Sequence, residues 1–488
     1  MAGEGRDHQD GQVSVVKMPV MNSQGGREIG SSFSLITRIL PISRSPCSIL
    51  LASSLAFLIG CGGHTERTLA MRTALDVGNP RGAIAALNEE MSVGSDKELP
   101  KDLEGDNALL VLDRASIQQS VAQFGDSKRD FEAADKAIDM LDLAHNTGDT
   151  IGKYVFSDSA GRYQAPPYEK LLINTLNMLN YLELRDLNGA RVEARRLAVM
   201  QKYIVEGLQE TDNSVIGLGG MLAGMTFEKS GEVDEALRWY DESLAFSGFR
   251  ALRGPVRTLL AQGSYSSPRL KQLQGEGAPP EPLEKTGEGE ILFVVGYGRV
   301  PHKISNRLPI GLALTYAAGA IHPDNVAAAN RLAAQGLVTW INFPSLAPDQ
   351  GSWAIPACQL DGNYIQLEEA VNVSREVRTE WRKIEGQVIV SAITRLIARY
   401  AAGEGVKAVA GNGALGLIAS LGTQATLTAL DTPDTRSWET LPARVAIARV
   451  RVPAGKHAIF IDARGVSRRQ TVDVEKGGWA VVSLMALR

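Results

Sequence analysis

Cysteine is scarce in this chain: of 488 residues, only Cys47, Cys61 and Cys358 are cysteines. So few thiols leave no disulfide framework to carry the fold, and stability has to come from packing. A basic excess is missing too. The formal net charge is −4, which excludes the broad positive field that holds nucleic acid. There is no Walker A loop, no GxSxG nucleophile elbow and no HExxH pair, and His302, His322 and His457 are scattered. These absences argue against P-loop nucleotide chemistry, α/β-hydrolase chemistry and paired-histidine metal ligation. What is present suits a folded protein: 44% hydrophobic residues, enough for ordinary buried cores, over a length that allows two or three domains.

One stretch sets the expected compartment. Residues 48–61 read SILLASSLAFLIGC, with Arg38 and Arg44 before them. That is the charged, apolar and cleavage-site order of a secretory signal. The apolar run is shorter than the ~20 residues of a membrane span, so it is read as cleaved. Leu58-Ile59-Gly60-Cys61 resembles the lipobox of bacterial lipoproteins, which implies a lipid on the Cys61 thiol and a cut just before it. Residues 1–60 are assigned to the signal peptide and a disordered leader, with Met18 or Met21 as alternative starts. The leader holds five basic and four acidic residues, so the chain without it stands at −5. Cys47 would leave with it, Cys358 would be the one thiol left, and no internal disulfide could form. Gly62 follows the anchor. In enteric bacteria an aspartate there favours the inner membrane, so the expectation leans to the outer one.

From residue 69 to about 246, small and apolar residues return at helical spacing. The clearest unit is 217–246, where Gly224, Phe227, Gly231, Ala236 and Tyr240 stand at the spacing of a tetratricopeptide repeat. Gly224 and Ala236 are small where two helices touch, Phe227 and Tyr240 fill the space beside them, and Gly231 makes the turn. A second unit, 168–200, keeps the same interval from Tyr181 to Ala190, with its turn at Arg185-Asp186-Leu187-Asn188-Gly189. Two less regular hairpins are expected, 74–91 with a turn at 78–82 and 107–141 with a turn at 125–127. Residues 61–262 are therefore predicted as a tetratricopeptide-like α-solenoid of about four hairpins. Such arrays offer a concave surface and no chemistry of their own, so the default task is holding a protein partner.

Residues 263–289 turn to Gly, Ser, Pro, Glu and Lys and read as a linker. Glu290-Ile-Leu-Phe-Val-Val295 then reads as a buried strand that opens a second domain, 290–488. Strand-like pieces at 332–343 and 363–373, a charged segment at 374–385 and an amphipathic helix at 387–402 follow. After Pro442 four strands are expected, with turns at Pro453-Ala454-Gly455, Arg464-Gly465 and Lys476-Gly477-Gly478. The whole is α+β: a helical solenoid, then a mixed domain ending in a small antiparallel sheet, similar to the strand pattern of PEGA-type envelope domains.

Several stretches together resemble an uncharacterised family of bacterial lipoproteins with N-terminal helical repeats and a C-terminal α+β domain. They are Tyr168-Glu169-Lys170, Ala190-Arg-Val-Glu-Ala-Arg-Arg196, Gly298-Arg-Val-Pro301 and above all Asp434-Thr-Arg-Ser-Trp-Glu-Thr-Leu-Pro442. The resemblance implies an envelope location and no established activity, and carries over no catalytic residue. Some members lie near genes for lipoproteins that activate peptidoglycan synthases, which associates the family with envelope assembly.

Other patterns were weighed for chemistry. Gly411-Asn-Gly413-Ala-Leu-Gly416 is a literal GxGxxG, with Asp431 twenty positions on. Its preceding strand is short, Gly422 interrupts the helix and no βαβ units follow, so close helix packing is preferred over a dinucleotide site. Cys358, His302 and Asp361 could form a thiol triad, but a lone Cys among apolar residues is more often packing. Arg191, Arg195 and Arg196 read as a solvated face, with a rim for an acidic partner as the sharper version. Asp434, Arg436 and Trp438 are either a loop anchor, with Trp438 buried, or an exposed surface for a glycan or peptide.

The sequence thus predicts a non-enzymatic, lipid-anchored envelope scaffold in the outer membrane, facing the periplasm. It would need no cofactor, bind envelope proteins through its repeats, and have peptidoglycan as a further candidate partner. The alternative is an envelope-polymer hydrolase or transferase acting from residues 290–488.

Overall fold

Four helix pairs open the described chain, and one turn geometry builds all four. A single-turn α1 (His64–Arg67) leads into α2 (Leu69–Asp76) and α3 (Pro80–Glu90). Then α4 (Asn107–Ser120) packs with α5 (Phe124–Ala137), α6 (Pro167–Glu183) with α7 (Leu187–Lys202), and α8 (Val215–Lys229) with α9 (Val233–Phe246). A two-residue parallel bridge, β1 (Asp139–Met140) to β2 (Gln164–Ala165), lies between the second and third pairs. Three residues join the helices of each pair, and the middle one is left-handed: Gly78 (φ 75°), Ala122 (φ 61°), Arg185 (φ 58°) and Gly231 (φ 77°). In each turn the next N–H donates five residues back: Asn79 to the Ala74 carbonyl at 2.8 Å, Gln123 to Gln118 at 2.9 Å, Asp186 to Tyr181 at 2.8 Å and Glu232 to Phe227 at 2.9 Å. This Schellman closure satisfies carbonyls that the end of a helix would otherwise leave open. The second turn differs from expectation. It sits at 121–123, where Ala122 takes the left-handed role without being glycine, and Gly125 falls in the first turn of α5.

Residues 63–140, 163–207, 214–316, 323–334, 340–348, 354–410 and 433–488 are described in this computed structural model. Cys61 and its leader, His322, the 411–416 glycine motif, Asp431 and most of the 146–167 loop lie outside them.

Where the paired helices touch, small residues are sterically required. A methyl group on Gly224 would fall 2.4 Å from Tyr240 Cδ1, and one on Gly189 would fall 1.9 Å from Tyr181 Cε1. Ala190, Ala236 and Tyr240 are fully buried, and Phe227 and Tyr181 nearly so. After α9 come α10 (Arg250–Leu260), α11 (Pro268–Gly275) and α12 (Leu283–Thr286). The last two lie in the stretch expected as a linker, and each buries leucines: Leu270 and Leu273, then Leu283.

The strand β3 (Glu288–Arg299) is central. Its sheet runs β12 (Trp479–Ala486), β3, β9 (Pro442–Pro453), β8 (Glu368–Asn372), with β12 parallel to β3 and the other pairs antiparallel. Alternate side chains then go to opposite faces. Leu292, Val294, Val445, Ile447, Val481 and Met485 join the core of the helical pairs. Ile291, Phe293, Val295, Ala446, Val482 and Leu484 join a second core. That core is closed by a second antiparallel sheet in the order β11 (Val466–Val474), β10 (Gly455–Ala463), β6 (Ala357–Leu360), β7 (Asn363–Ile365). The result is three layers: helices, sheet, sheet. A smaller third core lies under the β4 (Lys303–Pro309) and β5 (Trp340–Leu346) hairpin, α13 (Ile310–Tyr316), α14 (Pro323–Ala334) and the 38-residue α15 (Val373–Ala410).

The protein is α+β with sheets at its C-terminal end. The last four strands do not form one antiparallel sheet of their own, however. The strands β9 and β12 are apolar on both faces, so both faces need cover, and β12 lies parallel to β3. The intervening β10–β11 hairpin, whose β11 alternates half-buried and exposed residues, is taken into the second sheet as its edge. Described residues from 63 onward belong to one compact unit.

Candidate functional site

Between α15 and β9 the chain runs without regular structure at 433–441, yet nearly all of it is buried. Such a segment must find its hydrogen bonds elsewhere. It finds them on the helices. The Trp438 indole is fully buried, its Nε1–H donates to Ser116 Oγ of α4 at 3.0 Å, and its ring meets Phe131 of α5 edge-on, 5.9 Å between centroids. The Trp438 N–H donates to Glu169 Oε1 of α6 at 3.4 Å. Thr440 donates through its N–H and its hydroxyl to Asp113 Oδ1, at 3.0 and 2.8 Å. Glu439 Oε2 accepts from Arg72 of α2 at 2.7 Å, and Thr435 Oγ1 accepts from the Thr65 N–H at 3.2 Å.

Arg436 closes the strap on itself. Its backbone N–H, Nε and Nη2 donate to the Asp434 carboxylate at 3.0, 2.9 and 2.7 Å. Against the burial that pushes it up, the Arg436 partnership brings the Asp434 carboxyl down to about 2. Trp438 therefore has no open face for a glycan or peptide; the trio anchors the segment between helices and sheet.

The strap touches carboxyls of the opposite kind. Burial pushes Asp113 up to about 7, with the Glu439 charge adding to it. Burial likewise raises Glu169 to about 7, against hydrogen bonds donated by the Tyr163 and Tyr168 hydroxyls. Glu183 of α6, which accepts from the N–H and hydroxyl of Ser483 in β12, is raised by burial to about 7 as well. Their unfolded values lie near 4, so between about pH 4 and 7 the folded state holds protons that the unfolded chain releases. The stabilisation is full below about pH 4 and is lost as pH rises through 7, on the order of 3–4 kcal/mol per group. Asp434, Asp106 and Glu228 are lowered, and their contribution is lost as pH falls below about 4. The expected thermal midpoint is highest near pH 5 and lower at pH 8, and Glu183→Gln, which mimics the protonated acid, flattens that decline. A midpoint that climbs from pH 5 to pH 8 would contradict the assignment.

No thiol triad assembles. Cys358 is buried in β6 within the second core, and burial raises its thiol to about 11. Asp361 instead engages His457 Nδ1 at 2.7 Å, and His302 stands beside Arg299 and Glu439. Among the described residues no group of three or more His, Cys, Asp or Glu is placed to hold a metal ion, and no helix is long and apolar enough to cross a membrane.

Among the described residues, a face of α7 stands exposed. On α7 and the turn after it, Val192, Arg195, Val199 and Tyr203 follow each other at intervals of three or four residues, which aligns them on one side. Val199 is 68% exposed and Val192 44%. Arg191 pairs with Glu232 at 2.7 Å and Arg196 with Glu193 at 2.9 Å, whereas Arg195 is exposed and has no such partner among the described residues. Sequence reading named the arginines but missed the valines between them, because a lone Val in a charged helix carries no signal until the buried side is known. Compared with family models, curated proteins and solved structures, the chain matches none of them.

Proposed function

We propose that the protein is a non-enzymatic, lipid-anchored scaffold of the bacterial cell envelope whose helical pairs hold a protein partner. Cys61 would carry the lipid, and the outer membrane, on its periplasmic side, is the compartment that the leader and Gly62 favour. The reading draws on the resemblance to the uncharacterised lipoprotein family and treats the four pairs as a tetratricopeptide-like array. Their identical turns support a repeat. The separation of those turns, 44 residues from Gly78 to Ala122 and 46 from Arg185 to Gly231, exceeds the ~34 residues of a tetratricopeptide unit, so the array would be a lengthened variant.

The observation that carries the proposal is the face of α7. Scattered exposed apolar residues are ordinary, but a row at helical spacing on an otherwise charged helix offers a partner a stripe to cover. Arg195 within that row favours a partner segment that is apolar with an acidic neighbour. In cells making the full chain with its leader, a photo-cross-linker at position 199 is expected to trap one discrete envelope protein. Val192→Asp with Val199→Asp is expected to abolish trapping, read at a second position such as 195, without lowering the thermal midpoint. Diffuse trapping, or trapping indifferent to both aspartates, would remove this face from the account.

A further inference from the structure

Where α2, the end of β3, the β10–β11 turn and Arg488 meet, they border a pocket of about 70 Å³. One water needs about 10–15 Å³ on that measure, so the space takes roughly five waters or one small oxyanion. Its walls carry four guanidinium groups, Arg72, Arg299, Arg464 and Arg488, against two carboxylates, Asp76 and Glu439. Internal bonds occupy them in part. Arg72 Nη1 donates to Glu439 Oε2 at 2.7 Å, Arg299 Nη2 to Asp76 Oδ1, Arg464 Nε to the Arg488 main-chain oxygen at 2.8 Å, and Arg488 Nε to the Asp76 carbonyl at 3.2 Å.

Two buried atoms of the wall keep no hydrogen-bond partner among the described residues: a donor, Arg299 Nε, and an acceptor, Glu439 Oε1. Buried polar groups in folded proteins are almost always satisfied, by protein, water or ligand. Burial lowers the pKa of His302 at the rim, which disfavours its charged form.

A donor and an acceptor in the wall of one pocket narrow the ligand. Surplus guanidinium charge favours an oxyanion, and Arg is suited to bidentate contact with phosphate or carboxylate oxygens. A carboxylate in the same wall repels an anion unless that anion brings a proton to donate. Sulfate and simple carboxylates at neutral pH have none; a phosphoryl group below its second ionisation has one. We infer that this pocket binds a protonated phosphoryl group, with Arg299 and Arg464 holding its charged oxygens and Glu439 accepting from its P–OH. Inorganic phosphate and a phosphate monoester share this chemistry. The site is independent of the partner face on α7.

The test is titration calorimetry of the purified chain at pH 6 with inorganic phosphate, glycerol 3-phosphate and sulfate. Saturable one-to-one binding of phosphate or the monoester is expected, with sulfate about tenfold weaker or more. Which of the two binds more tightly identifies the source of the phosphoryl group. Arg464→Gln, in the β10–β11 turn, and Arg299→Gln each weaken binding about tenfold with an unchanged circular dichroism spectrum. Glu439→Gln brings sulfate to within about threefold of phosphate. No saturable heat from either phosphoryl ligand, equal binding of sulfate by the wild type, or wild-type affinity in both arginine variants would overturn the inference.

Discussion

Trp438→Ala is expected to lower the unfolding free energy by about 3–5 kcal/mol, the range for emptying a fully buried aromatic site. The indole is the plug of the strap. Removing it leaves a hole against Phe131, strips Ser116 Oγ of its donor and loosens the segment whose neighbouring backbone and side-chain groups satisfy Asp113 and Glu169. Trp438→Phe keeps most of the ring volume and loses the 3.0 Å indole bond to Ser116, so it is expected to cost about 1–3 kcal/mol, the penalty of one unpaired buried polar group. Urea denaturation of the three proteins gives the comparison. If Trp438→Ala falls within 1 kcal/mol of wild type, the strap is a passive loop and not a latch.

Arg449→Met is the second large effect, and it acts where the sheet meets α8 and α9. The Arg449 guanidinium lies between two carboxylates, Nη2 to Glu228 at 2.5 Å and Nε to Glu290 at 2.8 Å, while its Nη1 donates to the Tyr240 hydroxyl at 3.0 Å. Lys229 pairs with both acids. Against their burial, Arg449 first and Lys229 second keep Glu228 well below the usual carboxylate range. With Arg449 gone, two buried carboxylates share one ammonium, and the expected loss is about 3–5 kcal/mol. Replacing both acids by leucine and Lys229 by methionine as well is expected to return most of it, since the desolvation of all the charges then disappears along with their attraction. The single variant carries a pH signature. Its two acids, deprived of Arg449, take up protons more readily than in the unfolded chain, so its deficit at pH 8 shrinks towards pH 5. A deficit that is the same at both pH values would show that lost packing, not stranded charge, causes it.

The parts legible in the sequence were those fixed by neighbours along the chain. The interval from Gly224 to Tyr240 implied a close helix contact, and a methyl on Gly224 would indeed strike Tyr240. The run at 290–295 implied a strand buried on both faces, and Ile291 and Leu292 point into different cores. What could not be read depends on distant residues. Trp438 stood out as unusual, but its outcome was set by Ser116, more than three hundred residues earlier. Left-handed Ala122 gave no glycine to mark its turn. The charged segment 374–385 continues α15 as helix, since a charged pattern alone does not distinguish a solvated helix from a loop. Asp113 and Arg114 interrupt the apolar run of α4, and Asn174, Asn177 and Asn180 interrupt that of α6, all of them fully or nearly fully buried. Polar groups at core positions need partners from elsewhere in the chain: Asp113 takes Thr440 of the strap and Arg114 takes Asp130, while the asparagines engage Glu193, Ser127 and Gln119.

The central claim is that the strap and the shared core make the helical layer and the central sheet one cooperative body, which then presents the face of α7 rigidly. Native-state hydrogen exchange measures this most directly, through the amides of Leu112 in α4 and Ile447 in β9, both fully buried. The account predicts equal opening free energies for the two in wild type and an equal drop for both in Trp438→Ala. Helical amides that open well below those of the sheet, and stay unchanged in the variant, would mean that the two layers fold apart.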